Sequence, residues 1–183
     1  MRQLMTVLLL LAGCLLLADG VQPGGDGSYL EPYEVETLDN LLWVSTNPGS
    51  WNSHFIQTAD IDAYDTRDWN GGQGFLPIAP TSNPYFMGTY DGQGYKISNI
   101  YMYRPETIRQ SLFGSTHYAT ISNVNMENVD ITGLNNAAPV VSYCTNTNVQ
   151  NGWCSGKVVG YVSGASGVVG YLRDGSSVTE CYT

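Results

Sequence analysis

Charge is what this chain has least of. Only 13% of its 183 residues are charged, and 7 basic residues face 16 acidic ones, a net charge of −9. Gripping nucleic acid requires a basic face to displace counterions from phosphates, so the balance disfavours that class. The same deficit disfavours adsorption to an anionic lipid surface. Histidine is nearly missing, and His54 and His117 have no partner at metal or triad spacing. No Asn-x-Ser/Thr glycosylation acceptor occurs anywhere. The longest apolar run, residues 4–17, is too short to span a bilayer comfortably. What the chain does have is 21 Gly and 13 Tyr among many Asn, Ser and Thr, the composition of a secreted β-protein with one folded domain.

Residues 1–20 read as an export segment, with Arg2 as the positive start and the apolar run behind it. Two exits are open. Ala18-Asp19-Gly20 offers small residues at signal-peptidase spacing, and Leu11-Ala12-Gly13-Cys14 looks like a lipobox that would lipidate Cys14. Both lead outside the cytoplasm, to a secreted or cell-surface protein of a bacterial envelope. Residues 21–32, opening with Val-Gln-Pro-Gly-Gly-Asp-Gly, read as a flexible tether. The folded domain is expected over 33–183.

Its organising feature is a repeat. Leu112-Phe113-Gly114, Val140-Val141-Ser142 and Val168-Val169-Gly170 recur at intervals of 28 residues. A second beat follows each, starting at Ile121, Val149 and Val178, at intervals of 28 and 29. Beats of a few apolar or β-branched residues bounded by Gly, Asn or Ser are short strands with corners, and such a period means stacked units. The expected fold is an all-β parallel solenoid of about five rungs with a short N-terminal capping helix.

The unit Gly167-Val168-Val169-Gly170, with its Ile-Ser-Asn-like second beat, resembles the GLUG motif of bacterial surface and secreted β-helix proteins. Ser111-Leu112-Phe113-Gly114 lacks the first glycine of that motif, and Pro139-Val140-Val141-Ser142 lacks both. The resemblance extends upstream through residues 87–94 and Ala59-Asp60-Ile61-Asp62. It implies a β-helix of adhesin-like role, and no catalytic residues belong to the motif.

Along the chain, Thr37 is a candidate N-cap for a helix over 38–46, with Leu38, Leu41 and Leu42 at helical spacing and Asn47-Pro48-Gly49 as the stop. Such a helix would cover the end of a solenoid. Phe55, Gln57, Ala59 and Ile61 alternate onto one face, leaving Gln57 as a buried amide that must find partners. Ile97, Ile100 and Met102 should point inward around a Ser98-Asn99 corner, as should Ile121, Val124, Met126, Val129 and Ile131. Residues 65–74 and 104–110 read as loops. The final Cys181-Tyr182-Thr183 falls mid-rung, which reads as a fragment whose open C-terminal edge would self-associate.

Candidate sites are few. Asp60, Asp62, Asp65 and Asp68 are the densest carboxylates, and Ca²⁺ takes such oxygen ligands, although their spacing matches no calcium loop. The bland alternative is a solvated turn. Paired acids of a glycosidase or lyase would need convergent carboxyls or a neighbouring cation, and no repeat position supplies one. Of the three cysteines Cys144, Cys154 and Cys181, an odd number that leaves at least one thiol free, Cys154 and Cys181 read as core fillers, because they are offset by two residues on neighbouring rungs. The aromatics Tyr101, Tyr103, Trp153 and Tyr182 are the ligand-binding candidates, expected as one outward stripe with Asn125 among them. Their alternative is plain stacking between rungs. The reading is therefore a non-enzymatic, adhesin-like or scaffolding module without an obligatory cofactor, partnered by a glycan or protein at the cell surface. A carbohydrate-binding or polysaccharide-active (lyase- or glycosidase-like) β-helix is the alternative. The membrane enters only through a lipid on Cys14.

Overall fold

The computed structural model describes residues 20–183. Cys14 and the rest of the export segment before Gly20 lie outside the described residues. Strand β1 (Tyr33–Val35) leads into helix α1 (Leu38–Thr46), followed by β2 (His54–Gln57), β3 (Ile61–Asp62) and a 3-10 segment at Tyr64–Gly72. One turn then comprises β4 (Thr89–Asp91), β5 (Lys96–Ser98), β6 (Tyr101–Arg104) and β7 (Phe113–His117). The next comprises β8 (Thr120–Ser122), the long β9 (Asn125–Ala137) and β10 (Val141–Thr145). The last comprises β11 (Asn148–Ala165) and β12 (Val169–Arg173), with β13 (Ser177–Tyr182) beginning another.

Every pairing between these strands is parallel, as a coil that returns to the same face must make it. The chain is a β-solenoid. On its first face Tyr33, Phe55, Tyr90, Ile121, Val149 and Val178 stack in register. Ile61, Ile97, Met126 and Cys154 stack on the second, and Met102, Ile131 and Val158 on the third. Phe113, Val141 and Val169 stack on the fourth, with Ile78 bridging to Phe113. The repeat of 28 is thus the circumference of one turn. Among the described residues there are fewer regular turns than the five rungs expected: those beginning at β4, β8 and β11 carry strands on every face. Before β4 the loops 64–88 replace strands with 3-10 turns and isolated bridges.

Corners are made by residues that tolerate left-handed backbone. Asn123 and Asn151 share one corner at φ 54° and 53°, and Asn99 and Asn128 share the next at 61° and 54°. Asparagine visits this region at little cost because its short amide bonds locally. Here the amides also link turns. Asn128 Nδ2 donates to Asn99 Oδ1 at 2.7 Å, and Asn99 Nδ2 donates to Asp62 Oδ1 at 2.9 Å. At the neighbouring corner Asn123 Nδ2 donates to Asp91 Oδ1 at 2.8 Å.

Inward residues fill the coil. Ile97, Ile100, Met102, Ile121, Met126 and Ile131 are wholly buried, and Phe55, Phe86, Tyr90 and Phe113 form an aromatic cluster among them. Gln57 sits inside as expected of its place in the alternation. Its Nε2 donates to the carbonyls of Ala59 and Lys96, and its Oε1 accepts from the Tyr90 hydroxyl. Among the described residues no buried side-chain polar atom lacks a partner. On the fourth face Gly114 and Gly170 lie so close to neighbouring carbonyls that an added Cβ would approach oxygen to 2.7 and 2.8 Å. Ser142, 28 residues from each, fits the same position by donating its hydroxyl to the Asn136 carbonyl.

Helix α1 covers the end of the coil. Thr37 Oγ1 accepts from the Asn40 backbone N–H at 3.1 Å, and Asn40 Oδ1 accepts from the Thr37 N–H at 3.0 Å, which closes a reciprocal cap. Leu41 and Val44 are wholly buried against the first strands, and each such side chain contributes about 1.5–3 kcal/mol.

Two expected loops are more structured than their composition indicates. Residues 21–32 are mostly exposed but are tied to the fold by hydrogen bonds. Val21 N donates to Asp39 O, Asn40 Nδ2 donates to Val21 O, and Gly24 bridges Glu34, so polar backbone replaces the missing apolar anchors. In the 104–110 excursion Arg104 is buried, with its guanidinium donating to the carbonyls of Phe75 and Gly74.

Candidate functional site

The outward side of the second face carries Lys96, Asn125, Trp153 and Tyr182 in register. Their column lies beside the Asn123/Asn151 corner, where Gly152 is required because a Cβ there would meet the Val124 carbonyl at 2.6 Å. Asn125, Asn151, Gly152, Trp153, Glu180 and Tyr182 line a shallow groove of about 410 Å³. Tyr182 is exposed and Trp153 half-buried, so an aromatic wall faces amides and one carboxylate. Below it Lys96 Nζ pairs with Glu127 Oε2 at 3.1 Å, and this bond raises the affinity of the amine for its proton.

The expected single aromatic stripe does not form. Tyr101 lies on the third face, in register with Asp130 and, one turn on, Lys157. The Arg67 guanidinium sits 5.0 Å from the Tyr101 ring centre and 3.9 Å from Asp130. Tyr103 is on that face too, and the charge of neighbouring Tyr161, then its hydrogen bond, raise the Tyr103 pKa. Only Trp153 and Tyr182 of the four remain together. The reason is that corners at different places in the turn are similar. Ile97-Ser98-Asn99 and Ile121-Ser122-Asn123 look alike in sequence, but Ile97 stacks on Met126 while Ile121 stacks on Tyr90.

The four aspartates do not converge on one point. Asp60 Oδ1 accepts from the Lys96 N–H at 2.8 Å, and Asp62 Oδ1 accepts from Tyr64 N and Asn99 Nδ2. Asp65 and Asp68 stay exposed on the 3-10 segment, and among the described residues no three His, Cys, Asp or Glu side chains are placed to hold a metal. Cys144 and Cys154 are buried core residues, and Cys181 stacks on Gly152 as the repeat predicts.

A second polar-aromatic cluster escaped the sequence reading. On the fourth face Ser115, Tyr143 and Tyr171 are in register, beside the column His117, Thr145 and Arg173. The Tyr143 and Tyr171 rings stack 5.6 Å apart at 13°. Arg109 reaches from its loop to place its guanidinium 4.5 Å from the Tyr143 ring centre, bonded to the hydroxyls of Ser115 and Ser82. Arg173 Nη1 donates to the Tyr143 hydroxyl at 3.2 Å. The separation of Tyr143 from Tyr171 by 28 residues was the available signal; the approach of Arg109 had none in the repeat.

Comparison with known proteins gives partial likenesses. No family model matches the chain. Halomucin of Haloquadratum walsbyi is 36% identical over 139 residues, covering 74% of this chain and 2% of halomucin. A protein of Evansella cellulosilytica, provisionally named a Gly-rich membrane protein, is 35% identical over 91 residues, covering 50% of this chain and 10% of its own. The chain therefore spans only a small part of the relatives it matches. A solved structure from Bacteroides ovatus, provisionally called an immunoglobulin A1 protease, has a TM-score of 0.51 at 14% identity, covering 87% of this chain and 55% of that one. This likeness concerns the fold alone. Among the described residues no helix is long and apolar enough to cross a membrane.

Proposed function

We propose that the chain is a non-enzymatic, adhesin-like or scaffolding β-solenoid module displayed on the outside of a cell. The observation that carries the reading is the alignment with halomucin, in which 139 residues correspond to 2% of a far longer relative. Similarity to a protein named as a membrane protein supports the same address. Either exit from the export segment, cleavage before Val21 or lipidation at Cys14, would deliver the module there. In this reading the stacked units Leu112-Phe113-Gly114, Val140-Val141-Ser142 and Val168-Val169-Gly170 are GLUG-type repeats whose glycines serve packing. Outward acids serve the fold as well: Asp60, Asp62 and Asp91 each accept hydrogen bonds from another turn.

The groove at Trp153 and Tyr182 favours carbohydrate binding as a second reading, since a flat ring beside amides and a carboxylate suits a sugar. Antibody against the folded module, applied to intact cells, tests the address. Labelling without permeabilisation is expected, and labelling only after lysis would contradict it. Incubation with a polysaccharide panel tests the chemistry. No turnover is expected, and turnover lost on a single Asp substitution would replace the leading reading with an enzymatic one.

A further inference from the structure

We propose that the outward side of the fourth face binds an acidic sugar, its carboxylate or sulfate held by Arg109 and Arg173 and its ring laid on Tyr171. The two guanidiniums converge on one side chain, Arg109 over the ring of Tyr143 at 4.5 Å and Arg173 at its hydroxyl at 3.2 Å. This is an unusual concentration in a chain with 7 basic residues and a net charge of −9.

The other described cations are mostly committed. Lys96 pairs with Glu127, Arg67 pairs with Asp130, and Arg104 is buried on carbonyls. Arg109 differs: its side-chain partners are two hydroxyls and a ring, with no carboxylate within ion-pair distance among the described residues. Both bonds use Nη1, which leaves Nε and Nη2 to offer a planar two-donor edge, the geometry that matches a carboxylate or sulfate. Among the described residues the one carboxylate near Arg173 is that of its neighbour Asp174, at 3.7 Å with both side chains exposed, a pairing worth little in water.

The same strip supplies the apolar part of a sugar site. Tyr171 is 48% exposed and stacked on Tyr143, which restrains its ring. An aromatic face fixed in this way offers contact area at little entropic cost. The overall negative charge repels anions elsewhere, so a local positive strip also selects where one lands.

Calorimetric titration of the purified protein with trigalacturonate, a sulfated chondroitin tetrasaccharide, maltotriose and triglutamate tests the inference. At least one acidic sugar should bind, and the choice between them identifies carboxylate or sulfate as the anchor. Arg173→Gln and Tyr171→Ser should each weaken that binding tenfold or more, and added salt should weaken it further. Both positions are exposed, so these variants retain the fold, which the native circular dichroism spectrum checks; Arg109 is left intact because it bonds Ser82 of the 64–88 loop to Ser115 of β7. Failure of both acidic sugars to bind would overturn the proposal. So would maltotriose or triglutamate binding as tightly, or binding unchanged in the two variants. The readout uses isolated protein and is independent of where a cell displays the module.

Discussion

Cys144 and Cys154 show how the interior sets the chemistry of single residues. Burial pushes the Cys144 thiol from 9.0 up to about 11, and burial with nearby Cys181 pushes Cys154 to about 12. Both are therefore neutral and inert at physiological pH, as core fillers should be. Below about pH 9 native and unfolded chains both keep these protons, so the thiols make no pH-dependent difference. Above that, the unfolded chain releases them while the native chain holds them, and stability falls by about 1.4 kcal/mol per pH unit for each thiol. Urea unfolding from pH 8 to 11 should show this decline, and the double variant Cys144→Ala, Cys154→Ala should make it shallower, leaving the part above pH 10 that buried Tyr90 contributes by the same sign. An equally steep decline in the double variant would mean the thiols are not buried. The inward placement of Cys154 was legible in the repeat, because it falls on the Met126 position.

Corners and strands divide the work of the element scale. Inward faces were readable because period-two alternation leaves no choice once one face is buried, and Ile97, Met102, Met126 and Ile131 all lie inside. The cap was readable as well, since Thr37 and the Leu38, Leu41, Leu42 spacing carry their own local signal. Which corner followed which strand was not readable. The Asn99 corner of one turn and the Asn123 corner of the next share an apolar-Ser-Asn sequence at different places in the turn, so the sequence placed Tyr101 beside Trp153 although the two lie on neighbouring faces. The Asn99 corner tests what these residues do. Asn99→Gly keeps the left-handed backbone but loses the bonds to Asp62 and Asn128, which should cost about 1 kcal/mol. Asn99→Val loses the bonds and adds left-handed strain, for a total of about 2–3 kcal/mol. Equal losses in the two variants would show that the backbone conformation is not what selects asparagine there.

For the whole molecule, stacking of short parallel strands explains why a chain so poor in charge and so rich in Gly and Asn folds at all. Each turn buries its apolar side only by lying on the next, and the amide links between corners hold the turns in register. Architecture was legible because it repeats; the outer surface was not, because side chains from irregular segments complete it. Arg109 joins Tyr143 from the 104–110 excursion, and Val21 and Gly24 join Asp39 and Glu34 through backbone bonds that composition does not announce. The parallel coil is the claim on which the rest depends, and backbone nuclear magnetic resonance of the isotopically labelled protein tests it most directly. The account predicts inter-strand amide contacts at a constant offset, joining Phe113 to Val141, Ile121 to Val149 and Met126 to Cys154. Contacts whose partners run in opposite directions along the chain, as in successive hairpins, would contradict it.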